Sequence, residues 1–170
     1  MLTIGALVLL MTTLVGFYRI LSHNGERVEI SQSGITSTTI ATSLMEVAAS
    51  LPYDAVTDTT SAAIGNVDLL TAPNAMGNES ADDDSLEQYD DFDDFDGDTL
   101  VRAMPGELGV FTTAFEVNYV NPDNVNEISA NRTFIKRLDM KIWRSWPPAL
   151  PSETIDTTRM SMVQGYFHFD

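Results

Sequence analysis

From Met1 to Tyr18 the chain carries no charged residue. Leu2, Ile4, Leu7, Val8, Leu9, Leu10, Met11, Leu14, Val15 and Phe17 make this run almost continuously apolar, interrupted by Thr3, Thr12 and Thr13. A helix that is apolar on every side cannot be satisfied by one face of a small domain; it needs lipid or other subunits around it. At about 1.5 Å per residue such a segment reaches roughly 27 Å, just enough for a hydrocarbon layer of about 30 Å. A secretory signal would open on positive residues, and here nothing basic precedes the apolar run. The first charge is Arg19.

The remainder is of opposite character. Nine Lys and Arg stand against 25 Asp and Glu, and the net charge of −16 belongs entirely to residues 19–170. Such a balance argues against a nucleic-acid surface, which needs clustered cations to meet phosphates. With no cysteine, disulfides, thiolate zinc sites and cysteine nucleophiles are also excluded. The 170 residues allow one domain, or one small domain with an appendage.

After Arg19 nothing stops the helix outright. Asn24-Gly25 and Gly34 are expected weak points, since glycine costs about 1 kcal/mol against alanine in a helix interior, and a kink is anticipated there. From Ile35 the pattern becomes amphipathic, with Ile40, Leu44, Val47, Ala48 and Leu51 on one face, and Pro52 ends it. Residues 53–109 are rich in Gly, Pro, Ser, Thr and Asn and read as irregular loop. A strand is expected over 110–120, with Phe111, Phe115, Val117 and Tyr119 on one side. Asn121-Pro122-Asp123-Asn124 is turn chemistry. A second strand is expected over 132–144, with Lys136, Leu138, Met140 and Ile142 in phase, and a third over 157–169. The expected fold is α+β, a long N-terminal helix whose second half packs on a small C-terminal antiparallel sheet. The chain divides into 1–25 as hydrophobic helix, 26–52 as its amphipathic continuation, 53–109 as acidic loop region and 110–170 as the sheet.

Asp82, Asp83, Asp84, Glu87, Asp90, Asp91, Asp93, Asp94, Asp96 and Asp98 place ten carboxylates within 17 residues. Calcium takes about six to eight oxygen ligands of this kind, and Asp94, Asp96 and Asp98 around Gly97 are the candidate ligands. The spacing is not that of an EF-hand. The alternative is a solvated acidic loop that keeps neighbouring molecules apart, with Phe92 and Phe95 docking part of it on the body. No other cofactor is expected. Asn78 and Asn131 each open an Asn-x-Ser/Thr triplet and are weak glycosylation candidates. Trp143, Trp146 and Tyr166 are expected in the core rather than at a contact surface. Catalysis has little to stand on: His23 and His168 are the two histidines, no nucleophile motif surrounds a serine, and no phosphate-binding loop is present. We read the chain as no enzyme.

The uncharged N-terminal run, the helix of about 50 residues and the C-terminal sheet together resemble a type IV pilin or pseudopilin with its leader removed. Two segments carry the likeness further: Ala48-Ala49-Ser50-Leu51-Pro52-Tyr53-Asp54 at the helix end, and Tyr89-Asp90-Asp91-Phe92-Asp93-Asp94-Phe95-Asp96-Gly97, which is similar to the aspartate-rich segment of some haemagglutinin-type and minor pilins. The resemblance implies a structural subunit of an extracellular, cell-surface filament, a helical homopolymer held in the cytoplasmic membrane before assembly. Met1, Leu2, Ile4, Leu7, Leu10, Leu14 and Phe17 would then form the polymerisation helix. Gly5 departs from the family, which usually carries a glutamate there, and Met1 stands where phenylalanine is usual. A minor pilin or secretion-system pseudopilin, or a single-pass anchored acidic binding domain that does not polymerise, are the alternatives.

Overall fold

A computed structural model describes residues 2–59, 64–77, 86–106, 108–148 and 156–167. The first element, α1 (Leu2–Ser50), is one helix of 49 residues. The expected interruption at Asn24-Gly25 and Gly34 does not occur, because the cost of two glycines is spread over a long cooperative helix. Around the second weak point the hydroxyls bond within the helix: Thr38 Oγ1 donates to the Gly34 carbonyl at 2.9 Å, and Ser37 and Thr39 bond back one turn in the same way. Pro52 follows directly after the last turn, as expected.

Only the last part of α1 is covered. Ile40, Ala41, Leu44 and Ala48 are buried, and Val47 and Leu51 pack beside them. These residues form the anticipated face; Ala41 and Ser37 join it as small residues that let the helix approach closely.

The sheet facing this helix is antiparallel, in the order β1–β2–β4–β5 with β3 paired to β2. Its strands are β1 (Thr99–Ala103), β2 (Val110–Asn121), β3 (Asn124–Ile128), β4 (Ile135–Trp146) and β5 (Thr157–Gly165). The α+β layout is therefore the expected one. Alternation in β2 and β4 turns Phe111, Phe115, Val117 and Tyr119, and Lys136, Leu138, Met140 and Ile142, toward the helix. In register, Phe115 lies opposite Met140, Val117 opposite Leu138 and Tyr119 opposite Lys136.

Two strands escape the sequence reading. β1 lies inside the stretch expected to be irregular, and β3 lies just past the turn at Asn121-Pro122-Asp123-Asn124. Gly109 closes the β1–β2 connection at φ +95, and a Cβ there would meet the Trp146 carbonyl at 2.0 Å. No other residue type fits that crossing. The rest of 53–109 does hold little regular structure among its described residues: a short helix, α2 (Ala55–Thr59), and two 3₁₀ turns, Val67–Leu69 and Asp93–Phe95.

Within the described part of the acidic segment, Glu87 and Asp90 are exposed, and the stretch 91–95 is docked as expected. Phe92 and Phe95 are fully buried, with Phe95 stacked edge-on against Tyr89 at 4.7 Å and tilted against Phe115 at 5.1 Å. They complete the core between the helix end and the sheet. Trp146 departs from expectation: it is 63 % exposed at the end of β4, beyond the helix's cover. Trp143 and Tyr166 are half-buried.

Candidate functional site

Two features stand apart from an ordinary small α+β core. The first is the uncovered part of α1. Every described residue over 4–32 is exposed, a rod of roughly 40 Å at about 1.5 Å per residue. Ile4, Leu7, Leu10, Leu14 and Phe17 of the expected polymerisation helix are each more than half exposed, and so are Val8, Leu9, Met11, Val15, Ile20 and Leu21 on the other sides. Met1 lies outside the described residues, and Leu2 is placed in the helix without a described side chain. The helix is long and apolar enough to cross a membrane, and the head buries none of that stretch. A Cβ at Gly5 or Gly16 would find nothing within 4 Å, so the bare backbone is open to close approach by another helix. Near the end of this stretch, Arg144 at the end of β4 reaches Glu29 at 2.7 Å, a partly exposed pair that steadies the helix only slightly.

The second feature is a buried lysine. Lys136 points inward from β4 and is completely buried. Its Nζ donates to the Tyr53 carbonyl at 2.8 Å, to Asp54 Oδ2 at 3.0 Å and to Asp93 Oδ1 at 2.5 Å. The Tyr53 and Tyr119 rings lie 4.4 and 5.5 Å from it. A buried ammonium is tolerable only when paired and hydrogen-bonded in this way. Asp54 accepts in addition from the main-chain N–H of Val56 and Thr71. Asp91 accepts from Asp93 N at 2.8 Å and from Ala55 N at 2.5 Å. Burial, joined by the neighbouring Asp93 charge and a side-chain hydrogen bond with Asp93, pushes the Asp91 carboxyl up to about 8. Burial also raises the Tyr53 and Tyr119 hydroxyls, which donate instead to the carbonyls of Thr133 and Thr71. This cluster ties the end of α1, the acidic segment, the 64–71 loop and β4 at one point.

Lys136 was visible in the sequence as a cation in phase with Leu138, Met140 and Ile142, and such a residue demands buried anions. Nothing local marks Asp54 and Asp93 as those anions.

The candidate calcium ligands are not brought together as a set. Asp94 Oδ2 accepts from the N–H groups of Asp90 and Asp91. Asp96 Oδ1 accepts from Val117 N across on β2. Asp98 accepts from Thr99 N and from the Tyr89 hydroxyl. Burial raises the Asp94 and Asp96 carboxyls above the usual carboxylate range. Each side chain is thus spent on holding the chain's path. A different trio, Asp90, Asp91 and Asp94, has oxygens within 4.8 Å of one another, but two of the three are buried and bonded to main-chain amides. Asp82, Asp83 and Asp84 lie outside the described residues, as do Asn78 and His168. Asn131 is exposed beside the β3–β4 connection, with its N–H and carbonyl both bonded to Ser129.

Comparison with protein-family models, with curated proteins and with solved structures finds no match to this chain. A long N-terminal helix followed by a small antiparallel sheet is compatible with a pilin-like architecture.

Proposed function

We propose that this chain is a structural subunit of an extracellular, type IV pilus-like filament, polymerising through α1. One observation carries the reading: α1 stands bare at its described residues over 4–32 and is apolar on all sides up to Tyr18, while one face of its last turns is part of the core of the head. A membrane anchor needs only the bare part. A filament subunit needs also that the bare part be rigidly continuous with the head, and the unbroken helix supplies that continuity.

Before assembly the stretch up to about Tyr18 rests in the membrane, with Phe17, Tyr18 and Arg19 at the interface, where aromatic rings and cations are favoured. On assembly Ile4, Leu7, Leu10, Leu14 and Phe17 exchange lipid for other copies, with Gly5 and Gly16 at the closest approaches. Apolar burial of about 25 cal/mol per Å² then holds the filament axis. The acidic heads remain outside, in water. Gly5 in place of the family's usual glutamate favours a minor or pseudopilin subunit within this class, since the axis then lacks the carboxylate that would meet a neighbour's amine.

Electron microscopy of fibres sheared from cells that make this chain tests the reading. The expected image is a helical polymer with residues 4–25 at its axis, and peptide mass spectrometry of the fibres measures whether the chain is their bulk or a trace. A chain that stays in the membrane fraction, monodisperse in detergent and absent from any fibre, overturns the proposal in favour of an anchored head.

A further inference from the structure

The Lys136 cluster holds more than an ion pair requires. Its Nζ touches one oxygen of Asp93 at 2.5 Å, and the side chains are 0 % and 5 % exposed. Asp91 lies beside Asp93 and accepts from its main-chain N–H at 2.8 Å. A nucleophile, a carboxyl electrophile and a second carboxyl able to carry a proton are thus enclosed where water is excluded. We infer that Lys136 and Asp93 form an intramolecular isopeptide bond, with Asp91 as the proton carrier.

The step balances without any outside reagent. The ammonium passes one proton to the Asp93 carboxylate, and the freed lone pair on Nζ attacks Cγ while Asp91 donates its proton to the carbonyl oxygen. As the tetrahedral centre collapses, one C–O bond breaks. The departing hydroxyl takes a proton from Nζ and leaves as water, and the re-forming carbonyl returns a proton to Asp91. An ammonium and a carboxylate become a neutral amide and one water. Fixed contact between the reacting groups replaces the encounter that disfavours amide formation in solution.

Asp54 is the competing electrophile and is less suited. Both its oxygens are engaged by main-chain N–H groups, Val56 on one and Thr71 on the other, and its contact with Nζ is the longer at 3.0 Å against 2.5 Å. After the reaction it remains placed to accept from the new amide N–H. Asp93 presents its Oδ1 to Lys136. The bond would join the acidic segment to β4 across 43 residues of sequence, so that tension along α1 could not peel that segment from the sheet. The inference does not depend on polymerisation.

The test is peptide mapping of the full-length chain, extracted in detergent, denatured and digested, so that readout does not depend on folding at the time of measurement. Expected is one branched peptide joining the segment that carries Asp93 to the segment that carries Lys136, lighter than the two together by one water. Lys136→Arg and Asp93→Ala should each release two linear peptides. Asp91→Asn should lower the bridged fraction at early times after synthesis by tenfold or more, the scale of a lost general acid of roughly 10² or above. Two unmodified linear peptides from the unsubstituted chain overturn the inference outright, and a branch to Asp54 overturns the choice of Asp93. A fully bridged Asp91→Asn chain at early times removes Asp91 from the step.

Discussion

Asp91 is a group whose environment disagrees with its usual chemistry. Its ordinary value of 3.8 is raised to about 8, by burial first and then by the charge of Asp93. A carboxyl raised on folding binds a proton in the native state that the unfolded chain has already lost, so the native state holds more protons throughout that interval. Stability therefore falls as pH rises from about 3.8 toward 8, and levels off above. Asp94 and Asp96 shift in the same direction and add to the decline. The expected outcome is a melting temperature that is higher near pH 5 than near pH 8, with the upper part of that slope missing in Asp91→Asn. A melting temperature that climbs over the same interval would contradict the assignment. That one residue was legible only as part of an acidic run; its burial follows from Phe92 and Phe95 drawing the chain inward, and those two aromatics were the signal that the run docks.

At the level of helices and strands, the helix was easy to recognise and its continuity was not. Gly25 and Gly34 were read as weak points from their intrinsic cost, yet both sit in unbroken helix with nothing within 4 Å of a hypothetical Cβ. Replacing Gly34 by Ala should then stabilise the head by about 1 kcal/mol, the propensity difference, seen as a raised melting temperature of detergent-solubilised protein. A lowered value would mean that Gly34 is needed as a hinge or contact. Among the strands, β2 and β4 were readable because one face of each is buried and alternates cleanly. β3 is exposed at all five positions and β1 at four of five. Such edge strands are defined by main-chain pairing to β2, and their side chains carry no alternation to read.

The molecule as a whole joins a packed head to a bare apolar rod. The head rests on burial of Ile40, Leu44 and Ala48 against the sheet, while the rod beyond it touches none of that core. Assembly and folding should accordingly separate. Leu44→Ala should cost the head about 2–5 kcal/mol, as large-to-small core changes do. Leu10→Asp should leave the head's melting temperature within the roughly 0.5 kcal/mol typical of exposed sites and abolish fibres, scored by microscopy. A Leu10→Asp chain that still polymerises would place the axis elsewhere. The negative charge of −16 sits wholly on residues 19–170, so in the proposed fibre crowded heads would repel one another and packing should tighten with salt.

The order of residues along the chain was enough to establish a bare apolar rod, its amphipathic continuation, the inward phase of β2 and β4 and hence an α+β head, because each of these is a periodicity written in neighbouring residues. It also showed Lys136 facing the core. Which anions meet that lysine was decided by folding, since Asp54 and Asp93 lie 82 and 43 residues away from it. No local rule could choose them from 25 carboxylates. Pairing inside a protein is selected by desolvation, which acts only once helix, loop and sheet have closed around the charge.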